Sequence, residues 1–210
     1  TTKGADNMKR TLTSLVLGLS LLVASGGIVF AQDFRVGLNA YVEQNYATAL
    51  RVWRPLAKQG NARAQRYLGW MYLGGEGVTQ DYKKAVKWLQ MSAEQGDRLA
   101  QVNLGAMYYS GHGVTQDFKK AVRWYRKSTE QGFSEAQINL GAMYYLGQGV
   151  LQDNVYAHMW LNIGALTGTE DDIQDAMKYR NNLTKEMTKE QLAEAQALAR
   201  ECVKKNYKGC

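Results

Sequence analysis

A 36-residue repeat constrains the fold of this chain more than any other feature of its sequence. The segment LGAMYYSGHGVTQD at 104–117 recurs with few changes one period earlier and one period later, as Leu68, Leu104 and Leu140 show. Other positions keep the same step without an insertion, among them Gly75, Gly111 and Gly147, Asp81, Asp117 and Asp153, and Trp88, Trp124 and Trp160. A period of this length marks a supersecondary unit that buries its apolar face only by stacking on its neighbours.

The first half of each copy has the spacing of a buried helix. In the central copy, apolar residues recur three or four positions apart between 99 and 110, and Gly105 lies among them. A glycine has no Cβ, so a neighbouring helix can approach closely there. The Gly-x-Gly sequence at 111–113 permits positive φ angles and predicts the end of the helix. A glycine loop before a helix can also cradle phosphate, but three such loops without the lysine of a nucleotide site favour an architectural role.

The second half of each copy predicts another helix. Asp117 is placed to cap this helix, which the pattern predicts over 117–130. We expect the helix to bury Ala121 and Trp124 and to end at Gly132. The sequence therefore predicts an all-α solenoid of helix-turn-helix repeats.

More degenerate helix pairs are predicted at both ends of the array. The predicted helices are 34–44 and 46–59 at the front, and 170–183 and 188–205 at the back. A tight Gln-Asn turn joins the first pair, and Thr188 with Gln191 resembles a capping box in the second. We predict a repeat solenoid over 32–168 and C-terminal capping helices over 169–210.

Residues 1–31 have the layout of upstream residues followed by a cleavable signal peptide. Lys9 and Arg10 precede a short apolar run, and small residues lead up to Ala31. We expect cleavage after Ala31 and a periplasmic or secreted protein. Retention as a membrane anchor is the alternative, although the apolar run is short and broken by glycines.

The chain contains two cysteines, Cys202 and Cys210, both near the C-terminus. In an oxidising compartment such a pair most simply forms one disulfide, with free thiols as the alternative. A metal site is disfavoured, because the two histidines of the chain lie far away in sequence. No metal and no cofactor are expected.

The string AQxNLGxMYYxGxGVxQDxxKAxxW at 100–124, which returns with changes at 136–160, resembles the Sel-one-like repeat (SLR) family. These repeats are relatives of the tetratricopeptide repeat, and the resemblance covers 46–168. It implies a right-handed α/α superhelix and a role in assembling or recognising other proteins, often in bacterial envelopes. Some exported, cysteine-rich members are associated with β-lactam binding or hydrolysis, but they carry paired cysteines in each repeat, unlike this chain.

In related superhelices, the first helix of each pair lines the concave face, which predicts where a partner binds. Asparagine amides both donate and accept hydrogen bonds, and tyrosine and tryptophan offer large amphipathic contact areas. The predicted partner-binding residues are Tyr67, Trp70, Asn103, Tyr109, Asn139 and Tyr145. The alternatives are that the asparagines bond neighbouring repeats and that the aromatic residues are half-buried spacers.

The net charge of +7 excludes little, but its distribution is informative. Basic residues concentrate on the second helices, for which a solvated convex face is the interpretation and an anion-binding patch the alternative. Mild basicity is compatible with peripheral contact with an anionic envelope surface, and export argues against nucleic acid as a partner.

No nucleophile, base and orienting group converge in the sequence, so no catalytic residues are predicted. We predict a monomeric, non-catalytic scaffold of the bacterial envelope that binds a protein or peptide ligand. The alternatives are a weak β-lactam- or peptidoglycan-acting hydrolase and a structural assembly subunit.

Overall fold

The structure is a computed structural model that describes residues 34–210, and this part of the chain is helical without a strand. The predicted signal peptide and its cleavage site lie outside the described residues. The helices are α1 (34–42), α2 (Tyr46–Lys58), α3 (Ala62–Gly74), α4 (Tyr82–Glu94), α5 (Arg98–Ser110), α6 (Phe118–Thr129), α7 (Ser134–Leu146), α8 (Asn154–Thr167), α9 (Glu170–Glu186) and α10 (Lys189–Lys204). The chain divides into two compact units at the junction of Gln59 and Gly60.

The first unit contains the helix pair α1 and α2 that the sequence predicts. Its centre is Trp53, which is fully buried, stacks on Phe34 with ring centroids 5.7 Å apart, and donates a hydrogen bond from Nε1 to the Phe34 carbonyl at 3.2 Å. A Cβ at Gly37 would overlap the Trp53 indole, so the absence of a side chain there lets α1 lie against the ring. The tight turn is present, with Gln44 at φ 59° and Asn45 as the N-cap of α2.

The second unit is a row of helix hairpins. Helices α3 and α4, α5 and α6, and α7 and α8 pair within each repeat, and α4 packs on α5 as α6 packs on α7. Helices α9 and α10 both pack on α8 and so cover the last repeat. The all-α solenoid class predicted from the period is confirmed, whereas the predicted division at 168 and 169 stays a prediction.

Close approach of helices within a hairpin depends on the glycine that the sequence singles out. A Cβ at Gly105 would lie 2.7 Å from the ring of Tyr125, and Gly69 and Gly141 face leucines in the same way. Tyr125 is only 3% exposed, while Trp124 is half-buried. The prediction that α6 buries Ala121 and Trp124 is confirmed for Ala121, whereas Trp124 only packs partly against the core. Tyr125 fills the space opposite the glycine.

The loop between the two helices of a repeat is built by four of its residues. In the central copy, Gly111 and Gly113 both adopt φ of +74°. The Gln116 side chain donates to the carbonyl of Tyr109 at 2.8 Å, which satisfies a carbonyl at the end of α5. Asp117 caps α6 as predicted, accepting from the backbone N–H of Lys120, and this hydrogen bond lowers the pKa of the Asp117 carboxyl. The other two copies repeat the same bonds.

Polar side chains also hold adjacent parts of the repeat together. The Ser128 hydroxyl donates to the carbonyl of Arg98 at 2.9 Å, and Gln131 donates to the Gln101 amide oxygen at 2.8 Å. The first copy makes the equivalent bonds. The third copy has Gly164 and Thr167 in place of the serine and the glutamine, so neither bond continues there.

The C-terminal segment folds back along the second helices. The capping box of Thr188 and Gln191 is present, and Thr169 with Asp172 forms another that the sequence analysis missed. Beyond α10, Tyr207 lies against Gly132, where a Cβ would be 2.8 Å from its ring. Met177 of α9 is 47% exposed, so this helix buries only part of its apolar side chains.

His158 gives the fold a testable pH dependence. It is 4% exposed, its Nδ1 lies 3.1 Å from the Asn162 amide nitrogen, and burial with the nearby charge of Arg180 lowers its pKa. A base whose pKa is lower in the folded state binds fewer protons there, so stability falls as the pH drops below about 6.5.

Replacing His158 by valine, the residue at the equivalent positions 86 and 122, should remove this part of the pH dependence. Urea unfolding at pH 7.5 and pH 5 would measure it: the wild type should lose more stability than H158V over that range. An equal loss in both proteins would contradict the assignment.

Candidate functional site

The first helices of the three repeats share one stripe of equivalent positions that are not fully buried. We call this stripe the first-helix face. It spans three equivalent positions on each of α3, α5 and α7, each of them half-buried or exposed. Its residues are Tyr67, Trp70 and Leu73, then Asn103, Ala106 and Tyr109, then Asn139, Ala142 and Tyr145. All six predicted partner-binding residues therefore lie on one stripe of the second unit.

At α3, the stripe is an aromatic pair supported by an arginine. The Tyr67 and Trp70 rings meet edge to face with centroids 5.0 Å apart. The Arg66 guanidinium lies 5.0 Å from the Tyr67 ring and 4.6 Å from the Trp70 ring, which are cation–π distances. Its Nε is also 3.1 Å from the carboxylate of Asp97.

Sequence reasoning missed Arg66, although a signal was available. The equivalent positions in the next two copies hold Val102 and Ile138, so a charge replaces an apolar residue only in the first copy. Arg66 is 8% exposed and fixes the rings from below. Fixed rings lose little side-chain freedom when a ligand binds.

At α5, the two predicted residues, Asn103 and Tyr109, differ in exposure and in the contacts that they make. Tyr109 is 37% exposed, and its ring leans on Phe118 with centroids 5.4 Å apart. Asn103 is half-buried and donates from Nδ2 to the carbonyl of Leu99 in its own helix at 2.7 Å. The alternative in which this donor bonds a neighbouring repeat is therefore wrong, and the bond turns the amide to one side of α5.

At α7, the stripe meets the first capping helix. Tyr145 contacts Tyr179 of α9 edge to face, with centroids 5.9 Å apart. Asn139 is half-buried at the position equivalent to Asn103. The third part of the stripe thus has α9 as a wall, which sequence reasoning did not include.

Acidic groups accompany the tyrosines around α7 and α9. Burial and the neighbouring charge of Asp172 raise the pKa of Glu135, even though part of its side chain reaches solvent. Burial raises the pKa of Tyr179, and Tyr109, Asp175 and Tyr145 add to this shift.

The repeats themselves decide the family. The Sel1 repeat model matches at 62–97, 98–133 and 134–168, which together span more than half of the chain. The chain belongs to the Sel1 repeat family. Members of this family are typically scaffolds for protein–protein interaction.

Two solved structures resemble this Sel1 repeat protein. One is c5321, a protective antigen present in uropathogenic Escherichia coli strains that displays an SLR fold; it is 29% identical with a TM-score of 0.57 over 85% of this chain and 47% of that chain. The other is a Sel1 repeat protein from Oxalobacter formigenes, 36% identical with a TM-score of 0.55 over 62% of this chain and 98% of that chain. The chain spans about half the length of c5321. No curated protein matches it.

The opposite side of the Sel1 repeats carries the basic residues. The lysines and arginines of α4 and α6 are exposed, as predicted for a solvated face. Two of them pair locally, Lys84 with Asp81 at 3.0 Å and Lys120 with Asp117 at 3.6 Å. Surface pairs of this kind contribute little to stability, and they partly neutralise the positive charge.

Within residues 34–210, no three His, Cys, Asp or Glu side chains come together as a metal site would require. His112 of the second Sel1 repeat is exposed and stacks on Tyr82 with centroids 4.9 Å apart. Over the same residues, no helix has the length and apolar character needed to cross a bilayer.

Proposed function

We propose that this protein is a non-catalytic, monomeric scaffold of the bacterial envelope that binds a protein or peptide segment along the first-helix face, as the concave face of its Sel1 repeats. The observation that carries the proposal is the aromatic stripe itself. Tyr67 and Trp70 at one end and Tyr109 and Tyr145 further along all have ring surface on the same stripe.

The chemistry of the stripe favours an extended segment as the ligand. Aromatic rings held by Arg66 and Phe118 offer contact area at low entropic cost, while asparagine amides can bond a main chain whatever its side chains. The carboxylates of Glu135 and Asp172 at the α7 and α9 end favour basic residues in the part of the ligand that lies there.

Export is the other part of the proposal. The signal-peptide layout of residues 1–31 supports it, as do the sulfur atoms of Cys202 and Cys210, which lie at bonding distance with their Cα atoms 5.6 Å apart. We propose that these cysteines form one intrachain disulfide. Mass spectrometry of the periplasmic protein before and after reduction would test the bond and the cleavage after Ala31 together.

Replacing Tyr109 by alanine should abolish partner capture, and N103A should weaken it by about tenfold, the effect of one to two hydrogen bonds. Capture from an envelope extract, identified by mass spectrometry, would supply the ligand, and titration of the purified ligand would give the affinities. Far-UV circular dichroism should be unchanged in both variants.

L151A and K87A serve as controls, because both side chains are exposed away from the stripe. Unaltered capture by Y109A and N103A, or equal loss in the controls, would show that the partner binds elsewhere.

A further inference from the structure

A cavity of about 250 Å³ lies on the second-helix side of the last repeat. We call it the tail pocket, because the C-terminal tail forms one wall of it. Apolar and aromatic walls are supplied by Leu140, Tyr144, Trp160 and Tyr207. Polar groups are supplied by Arg126 and Thr129 of α6 and by Glu130, its C-cap. A cavity of 150 Å³ is enough to hold benzene, so this one has room for a single ring with a polar substituent.

One residue of the tail-pocket lining carries a polar atom without a partner. Thr129 is 1% exposed, and its hydroxyl has no hydrogen-bond partner among the described residues. A buried polar group is destabilising when it stays unpaired, so the Thr129 hydroxyl favours a ligand that pairs with it.

The preceding repeat shows that the unpaired hydroxyl is specific to the tail pocket. There Ala93 occupies the position equivalent to Thr129 and carries no polar side chain.

The rim of the pocket offers both signs of charge. Arg126 of α6 and Glu130, the C-cap of that helix, are exposed one helical turn apart. The Arg126 guanidinium donates to the Tyr144 hydroxyl at 2.7 Å, which directs it toward the pocket. Such a rim suits a carboxylate, an ammonium group or both.

We propose that the tail pocket binds the phenol side chain of a tyrosine. The ring would lie among Leu140, Trp160 and Tyr207, and the hydroxyl, a donor and an acceptor at once, would pair with the hydroxyl of Thr129. Arg126 would receive the carboxylate and Glu130 the ammonium group. The tyrosine can be a free amino acid or the end of a peptide, and this site does not depend on the function proposed for the first-helix face.

Titration calorimetry with four small probes tests the proposal. L-tyrosine should bind more tightly than L-phenylalanine by about 3- to 10-fold, the effect of hydrogen bonds to the hydroxyl. N-acetyl-L-tyrosine keeps only the carboxylate, so if it retains affinity the source is a C-terminal tyrosine of a peptide. L-tyrosinamide keeps only the ammonium group, so if it retains affinity the source is an N-terminal tyrosine. If L-tyrosine binds and both of these probes lose affinity, the ligand is the free amino acid.

Variants locate the binding. T129V keeps the shape of the side chain but removes its hydroxyl. The variant should therefore lower the affinity for L-tyrosine by about 3- to 10-fold and leave the affinity for L-phenylalanine unchanged. T115V, at an exposed loop threonine, is the matched control and should change neither. Equal binding of the two amino acids, insensitivity of L-tyrosine binding to T129V, or no detectable binding of L-tyrosine up to about 2 mM, near its solubility limit, would overturn the proposal.

Discussion

Replacing Gly113 by alanine is expected to lower the free energy of unfolding by about 2–5 kcal/mol, because two costs add at this position. The residue has φ of +74°, where an alanine is strained by about 1–2 kcal/mol. An added Cβ would also overlap the backbone carbonyl of Tyr82 in the preceding repeat. A backbone group cannot rotate away as a side chain does, so α4 would have to shift.

Gly96 provides the matched control for this prediction. It has φ of +93°, but beyond its chain neighbours no atom lies within 4 Å of the place that an added Cβ would take, so G96A should cost only the strain of about 1–2 kcal/mol. Urea unfolding followed by circular dichroism would compare the two variants. Equal losses of unfolding free energy in G113A and G96A would show that the close contact between repeats at Gly113 adds nothing to the effect of the substitution.

Replacing Trp160 by alanine should lower the free energy of unfolding by about 3–5 kcal/mol, as the removal of a large buried ring usually does. Trp160 is 3% exposed because α10 and the tail cover α8. Trp124 occupies the same repeat position but is half-buried. Because its side chain buries a smaller apolar area, W124A should lower the free energy of unfolding by only about 1–2 kcal/mol.

Thermal and urea unfolding of W160A and W124A would measure the difference between these two sites. A truncation that removes 206–210 adds a second measurement, since it should make Trp160 more accessible to a fluorescence quencher. Equal costs for the two tryptophans would contradict the covering role of the C-terminal segment.

The candidate site was only partly predictable from the sequence. The register places Tyr67, Trp70, Asn103, Tyr109, Asn139 and Tyr145 on one stripe, because equivalent residues of stacked repeats face the same way. The repeat period does not predict three other features of the site. These are the support of the rings by Arg66, the hydrogen bond of Asn103 within its own helix and the wall formed by α9. Each depends on side-chain conformations or on contacts with an element that is not a repeat.

The sequence by itself determined the hairpin unit, its 36-residue step, the glycine ends of the first helices and the aspartate caps of the second. These are local choices, since φ angles, capping and helical spacing act within a few residues. Only the tertiary structure decided which ring fills the space opposite Gly105, which of three equivalent tryptophans is buried, and where the C-terminal tail closes a pocket. Burial depends on what packs against a residue from outside its own repeat, and identical repeat positions differ once the neighbours differ.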